Sequence, residues 1–166
     1  MLNAAIIKDG EKIELVWGQL VETAPQRPLH WDMTSALSHW FRVNLPLNLR
    51  IASQGPLRLS EDDEPEPEFF IFPEGMRVNE VRGGDVLLVV EVAYSSLDYD
   101  LKVKSVVYAQ HGVREYWVVD VEGKRTLVHT LGADGGYGAP REVAFDAALD
   151  APGGARLAIA DLAPKV

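Results

Sequence analysis

The chain has 166 residues, 47% of them hydrophobic, which is enough to bury an ordinary core as one domain over residues 1–166. A formal net charge of −9 argues against broad attraction to a nucleic-acid polyanion, so any such contact needs a local patch. Cysteine is absent, which excludes disulfides, thiol catalysis and thiolate zinc sites and suits a reducing cytoplasm, the expected location. The longest apolar run, Val86 to Val90, is far short of the roughly 20 residues of a membrane span, and the first residues lack the basic and apolar segments of a secretion signal.

From Ala4 to Val21 two apolar-rich runs flank Lys8-Asp9-Gly10-Glu11, an Asp-Gly turn that predicts a β-hairpin. A bend is expected at Gly18. The period then becomes helical: Met33, Leu37, Trp40 and Phe41 share one stripe, predicting a helix from about Leu29 to Asn44 that Pro46 stops. A short strand is expected at Leu49 to Ser53, then a Gly55-Pro56 turn and another short strand. The run SEDDEPEPE, charged and broken by proline, reads as an exposed loop entering the strand Phe69 to Phe72. Alternation puts Glu68, Phe70 and Phe72 on one face of that strand and Phe69 and Ile71 on the other.

Asp85 to Val92 is almost continuous in Val and Leu, the pattern of a central strand covered on both faces. Glu91 is its anomaly, and a carboxylate there has to be paired, metal-bound or at the exposed rim. After Ser95-Ser96 a helix is expected from about Asp98 or Asp100, with His111 in its last turn and Gly112 as its C-terminal cap. Arg114 to Asp120 and Arg125 to Leu131 read as a strand pair turned at Glu122-Gly123-Lys124. A strand near Arg141 to Phe145 and an apolar stretch from Ala155 to Leu162 close the chain. The strand, helix, strand order of the centre implies a parallel crossover with antiparallel flanks.

Two carboxylates and a carbonyl are what magnesium-dependent phosphodiester hydrolysis asks for, since hard oxygens leave coordination sites open for water and phosphate. Glu68 and Glu91 can supply the carboxylates if their strands are neighbours, and the backbone carbonyl of Val92 the third ligand. Lys104, one of few clustered bases, is the candidate to assist attack on the phosphate. Asp100, Lys104, Tyr108 and His111 share one helix face, so Lys104 is expected to point toward a polar surface. Each has a plainer reading: Glu68 as a solvated member of the acidic run, Glu91 as a strand-end ion pair, Lys104 as an i,i+4 partner of Asp100. His30 reads as a helix-start residue rather than a ligand. No phosphate-binding glycine loop and no nucleophile motif is present.

At these residues the chain resembles the Uma-type restriction endonuclease family, a branch of the PD-(D/E)XK nuclease superfamily. LLVVEVAYSS and DYDLKVKSVVYAQHGVREYWVVD carry the resemblance, supported by IELVWGQLVETAP before His30, by PEPEFFIF, and by the ending AFDAALDAPGGARLAIADLAP. The resemblance implies a restriction-endonuclease-like α/β fold, a mixed sheet flanked by helices with an N-terminal β-hairpin. It further implies a magnesium- or manganese-dependent DNA endonuclease acting as a homodimer, with Glu68 and Glu91 as metal ligands and Lys104 as the catalytic lysine. Ala93 stands where the superfamily pattern would put that lysine. Glu68 replaces the family's Asp, Gln19 a usual Glu, and Tyr94 a usual Ser. With two acids altered, a catalytically silent module that binds nucleic acid or a protein partner is the alternative expectation.

Overall fold

Residues 12–23 and 27–162 are described by the computed structural model, and the expected Asp9-Gly10 turn lies outside them. Among the described residues the N-terminal hairpin is made one turn later, from β1 (Ile13–Val16) and β2 (Gln19–Glu22). Its two-residue turn is Trp17-Gly18, both at positive φ (51° and 71°), the conformation whose twist matches paired strands. Trp17 adopts this uncommon backbone because the Asp63 carboxylate accepts its N–H at 2.7 Å and the Asp62 carbonyl accepts that of Gly18 at 2.8 Å.

Helix α1 (Pro28–Asn44) follows, with Pro28 at its first position, where no N–H is needed, and an end just before Pro46. Among the described residues the main sheet has six strands in the order β3 (Leu49–Ser53), β4 (Phe69–Pro73), β5 (Leu88–Ala93), β6 (Glu115–Asp120), β7 (Arg125–Thr130) and β8 (Arg141–Ala144). Only β5 and β6 are parallel, joined by the expected helical crossover; the other neighbours are antiparallel. A small hairpin of β9 (Ala148–Asp150) and β10 (Arg156–Ala158) closes the fold.

The crossover is not one regular helix. It starts as a short α turn, α2 (Leu97–Tyr99), widens to a π-helix over Asp100–Lys104, and returns to α in α3 (Ser105–Gln110). The Ser105 N–H reaches back to the Asp100 carbonyl, five residues away. Gly112, at φ 79°, ends it; the Val113 N–H bonds the Tyr108 carbonyl at 3.1 Å, closing the helix end.

Strand alternation divides the core. Phe69, Ile71, Leu88, Val90, Val92 and Trp117 face α1, where Phe41 lies 5.3 Å from the ring of Phe69 and 5.9 Å from that of Trp117. Phe70, Phe72, Val89, Ala93 and Tyr116 face the crossover and the N-terminal hairpin. Two sequence expectations fail here. The segment after Gly55-Pro56 pairs with no sheet as a strand, and the acidic run is no exposed loop, since Asp63, Pro65, Pro67 and Glu68 are buried. It folds back on itself and on the hairpin: the Leu57 and Leu59 N–H groups bond carbonyls at Pro65 and Asp63, and Asp63 also reaches His111 at 2.9 Å. Burying these carboxylates is tolerable because each side chain meets donors.

Candidate active site

The β5 strand delivers Glu91 to the crossover side of the sheet, among Val89 and Ala93, with only 5% of the residue exposed. An unpaired carboxylate in that position would cost several kcal/mol, on the order of a lost buried charge pair. Two donors share its Oε1: Lys104 Nζ at 2.7 Å and the Tyr108 hydroxyl at 3.0 Å. Lys104 is itself buried, 4% exposed, so the expected polar surface is not where it points. The grouping of Asp100, Lys104 and Tyr108 on one face holds, but that face is turned inward, while Lys102, Val106 and Gln110 meet solvent. A polar stripe can be the buried one when the facing strands carry acids to pair with it.

The second partner of Lys104 comes from β1. Its Nζ donates to Glu14 Oε1 at 2.8 Å, and the Glu66 N–H donates to the same oxygen at 3.0 Å. Glu14 is 1% exposed, and its Oε2 has no hydrogen-bond partner among the described residues. It was absent from the sequence-based candidates, although the signal was there: Glu14 shares a strand face with Val16, the same anomaly that marks Glu91. Gln19, where the family resemblance implies a missing acid, is exposed on β2, whereas Glu14 lines the cavity.

Glu68 reaches the site through sheet register. β4 pairs with β5 as Phe69↔Val90, Phe70↔Val89 and Ile71↔Leu88, and continuing by one residue sets Glu68 opposite Glu91 on the same face. His30 Nε2 lies 2.8 Å from Glu68 Oε1, so His30 is part of this constellation as well as of the first turn of α1. Asp100 accepts from the Ser96 hydroxyl at 2.6 Å rather than pairing with Lys104. Glu14, Glu68, Glu91, Asp100, Lys104 and Val92 all line one cavity of about 260 Å³, with Arg27 and Tyr94 also in its wall, the guanidinium 5.1 Å above the Tyr94 ring.

Charge in the cavity is unbalanced. Burial pushes the Glu91 carboxyl up to about 8; Lys104 opposes this, and Asp100, Glu14 and Glu68 add to it. Burial raises Asp100 also, against the pull of Lys104 and the Ser96 hydroxyl. For Lys104 burial acts downward, but Glu91, Glu14 and Asp100 outweigh it and hold the ammonium above its ordinary value. Lys104 is thus a cation at any ordinary pH, unsuited to act as a base. Among the described residues no three His, Asp or Glu side chains form a ready-made metal cage. What the cavity offers is a set of hard carboxylate oxygens in excess of the positive charge beside them, which is chemically suited to a hard divalent cation.

Comparison with known proteins agrees with this architecture. The model of the family Uma2, described as "Putative restriction endonuclease", matches residues 2–160. A crystal structure described as "a putative nuclease belonging to DUF820", from Anabaena variabilis ATCC 29413, superposes with a TM-score of 0.69 over 90% of this chain and 88% of that one, at 16% identity. At that identity the likeness shows the fold. No curated protein matches the chain. None of the described helices is long and apolar enough to cross a membrane.

Proposed function

This chain belongs to the Uma2 family, and on that footing we propose that it is a metal-dependent DNA endonuclease with a PD-(D/E)XK-type site. The observation that carries the reading is the imbalance of buried groups: among the described residues four buried carboxyl side chains, Glu14, Glu68, Glu91 and Asp100, line one cavity with a single buried ammonium, Lys104. Glu68, Glu91 and the Val92 carbonyl would hold Mg²⁺ or Mn²⁺. Bound there, the ion supplies a water of lowered pKa and a Lewis acid for the phosphate oxygens.

The protein's own contribution follows from the geometry. Lys104 holds Glu91 by Oε1 at the cavity wall, and its charge would offset the negative charge that develops on the phosphate. Glu14 fixes Lys104 from the other side, and His30 orients Glu68. As a homodimer the protein would offer one such site to each strand of a duplex, a state that light scattering measures.

The test is cleavage of plasmid, linear duplex and single-stranded DNA with magnesium or manganese, beside a Glu91→Gln variant. Activity should appear with metal and vanish in the variant. Cleavage that survives the substitution, or that appears with no substrate, overturns the proposal. One observation favours a second reading, a silent nuclease-like module that binds nucleic acid or protein: Lys104 is already engaged by two carboxylates. Calorimetric titration separates the two, since manganese binding that depends on Glu91 speaks against a silent site.

A further inference from the structure

A second depression, of about 410 Å³, lies between α1 and β3, and Glu68 lines both it and the cavity at Glu91. Along α1, Trp31, Ser35, Ser38 and Arg42 recur three or four residues apart, which is one face of a helix, and Arg27 is the N-cap that precedes them. Arg27 lines the first cavity and the other four line the second. The two depressions are therefore joined along one helix face, with Glu68 at their junction.

The lining has a definite chemistry. It is rich in hydroxyl and amide donors, and Glu68, held by His30, is the one acid that lines it among the described residues. Arg50, Arg58, Arg125 and Arg156 each pair with a carboxylate. Arg42 forms no ion pair among the described residues and donates to the Ser53 hydroxyl at 3.0 Å at the groove wall. Thr34 Oγ1 is buried in the wall without a hydrogen-bond partner among the described residues. Trp31 stands 60% exposed at the groove, a large indole that its own fold does little to cover. This is a local, donor-rich patch of the kind a chain with net charge −9 would need to hold a polyanion.

We propose that the groove between α1 and β3 is a track for single-stranded DNA leading to the cavity at Glu91, with Arg42 and the serine hydroxyls on phosphates and Trp31 stacked on an unpaired base. The inference rests on the nuclease reading for what happens at the end of the track. It commits to a single strand because an indole can stack only on a base whose face is open, whereas hydroxyl and guanidinium contacts to phosphate are indifferent to sequence.

The experiment measures fluorescence anisotropy of a labelled oligo(dT) of about 12 nucleotides, a length within the reach of one such groove, and of a duplex of equal length. EDTA is present, several salt concentrations are used, and Trp31→Ala, Arg42→Ala and wild-type protein are compared. Both substitutions are at exposed positions, and circular dichroism checks the fold. The wild type should prefer oligo(dT). Trp31→Ala should weaken that binding roughly 5- to 100-fold. Arg42→Ala should reduce the slope of log K against log salt by about 0.7, one phosphate contact on a single strand. Equal binding by the wild type and both variants, preference for the duplex, or no binding at all overturns the track. Oligo(dT) binding in EDTA by a wild type that cleaves no DNA substrate once magnesium or manganese replaces the chelator sinks the nuclease reading and leaves the track standing. Undiminished cleavage of dilute substrate by both variants does the reverse.

Discussion

On one face of β5, Leu88, Val90 and Val92 pack with Phe41, Phe69 and Trp117; on the other face of the same strand, Glu91 meets Lys104 and Tyr108 between Val89 and Ala93. The first face is held by apolar area and close ring contacts, which do not depend on pH. The second is held by charges that are stable only as a set, and one of its members, Glu91, changes protonation within the ordinary pH range. One strand thus separates the part of the core held by apolar packing from the part that can respond to a proton. The division also explains why the site tolerates four buried acids: the opposite face supplies stability that does not rely on them.

Substitutions should expose the contrast. Phe41→Ala, which empties the dry face of a fully buried ring, should cost about 4 kcal/mol, and urea denaturation should return the same loss at every pH. Lys104→Met should cost about 3 kcal/mol near neutral pH, because Glu14 and Glu91 lose their shared cation. Unlike the Phe41 loss, this one should vary with pH, growing as pH rises and Glu91 gives up the proton that burial holds on it. A loss from Lys104→Met that is flat with pH would contradict the division.

Glu91→Gln tests the same idea through a slope. The Glu91 carboxyl titrates near about 8 in the folded chain, above its ordinary 4.5, so the folded state holds that proton more tightly than the unfolded state does. Its contribution to stability is complete below the unfolded value and is lost as pH rises through the folded one. The wild type should accordingly lose up to about 1.4 kcal/mol per pH unit across that window from this group. Denaturation curves of Glu91→Gln at stepped pH should lack that part of the slope. The smallest effect is expected from Tyr108→Phe, which removes one donor to Glu91 Oε1 and should cost about 1 kcal/mol, with Lys104 still in place.

Much of this was legible in the residues. The helix over Pro28–Asn44 followed from its apolar stripe and from Pro46, the crossover from its strand, helix, strand order, and the cap at Gly112 from its position. Glu91 stood out as an acid in an apolar strand, and Glu68 was placed on the face it occupies. The acidic run was misread because charge and proline describe only local preference. Asp63 is buried there by the Trp17 N–H and by His111, one 46 and the other 48 residues away in sequence. Lys104 was misdirected for a related reason, since a polar stripe does not say which side of a helix faces the protein.

By itself, then, the sequence determined most of the elements, their order and the parallel crossover, because hydrophobic period, turn chemistry and capping act over a few residues. Only the tertiary structure decided that Glu14 belongs with Lys104, a contact that spans 90 positions. It alone fixed the register that sets Glu68 across from Glu91, and the π-helical turn over Asp100–Lys104 from which the ammonium meets both acids. Those choices depend on how distant segments pack against one another, and no local pattern carries that information.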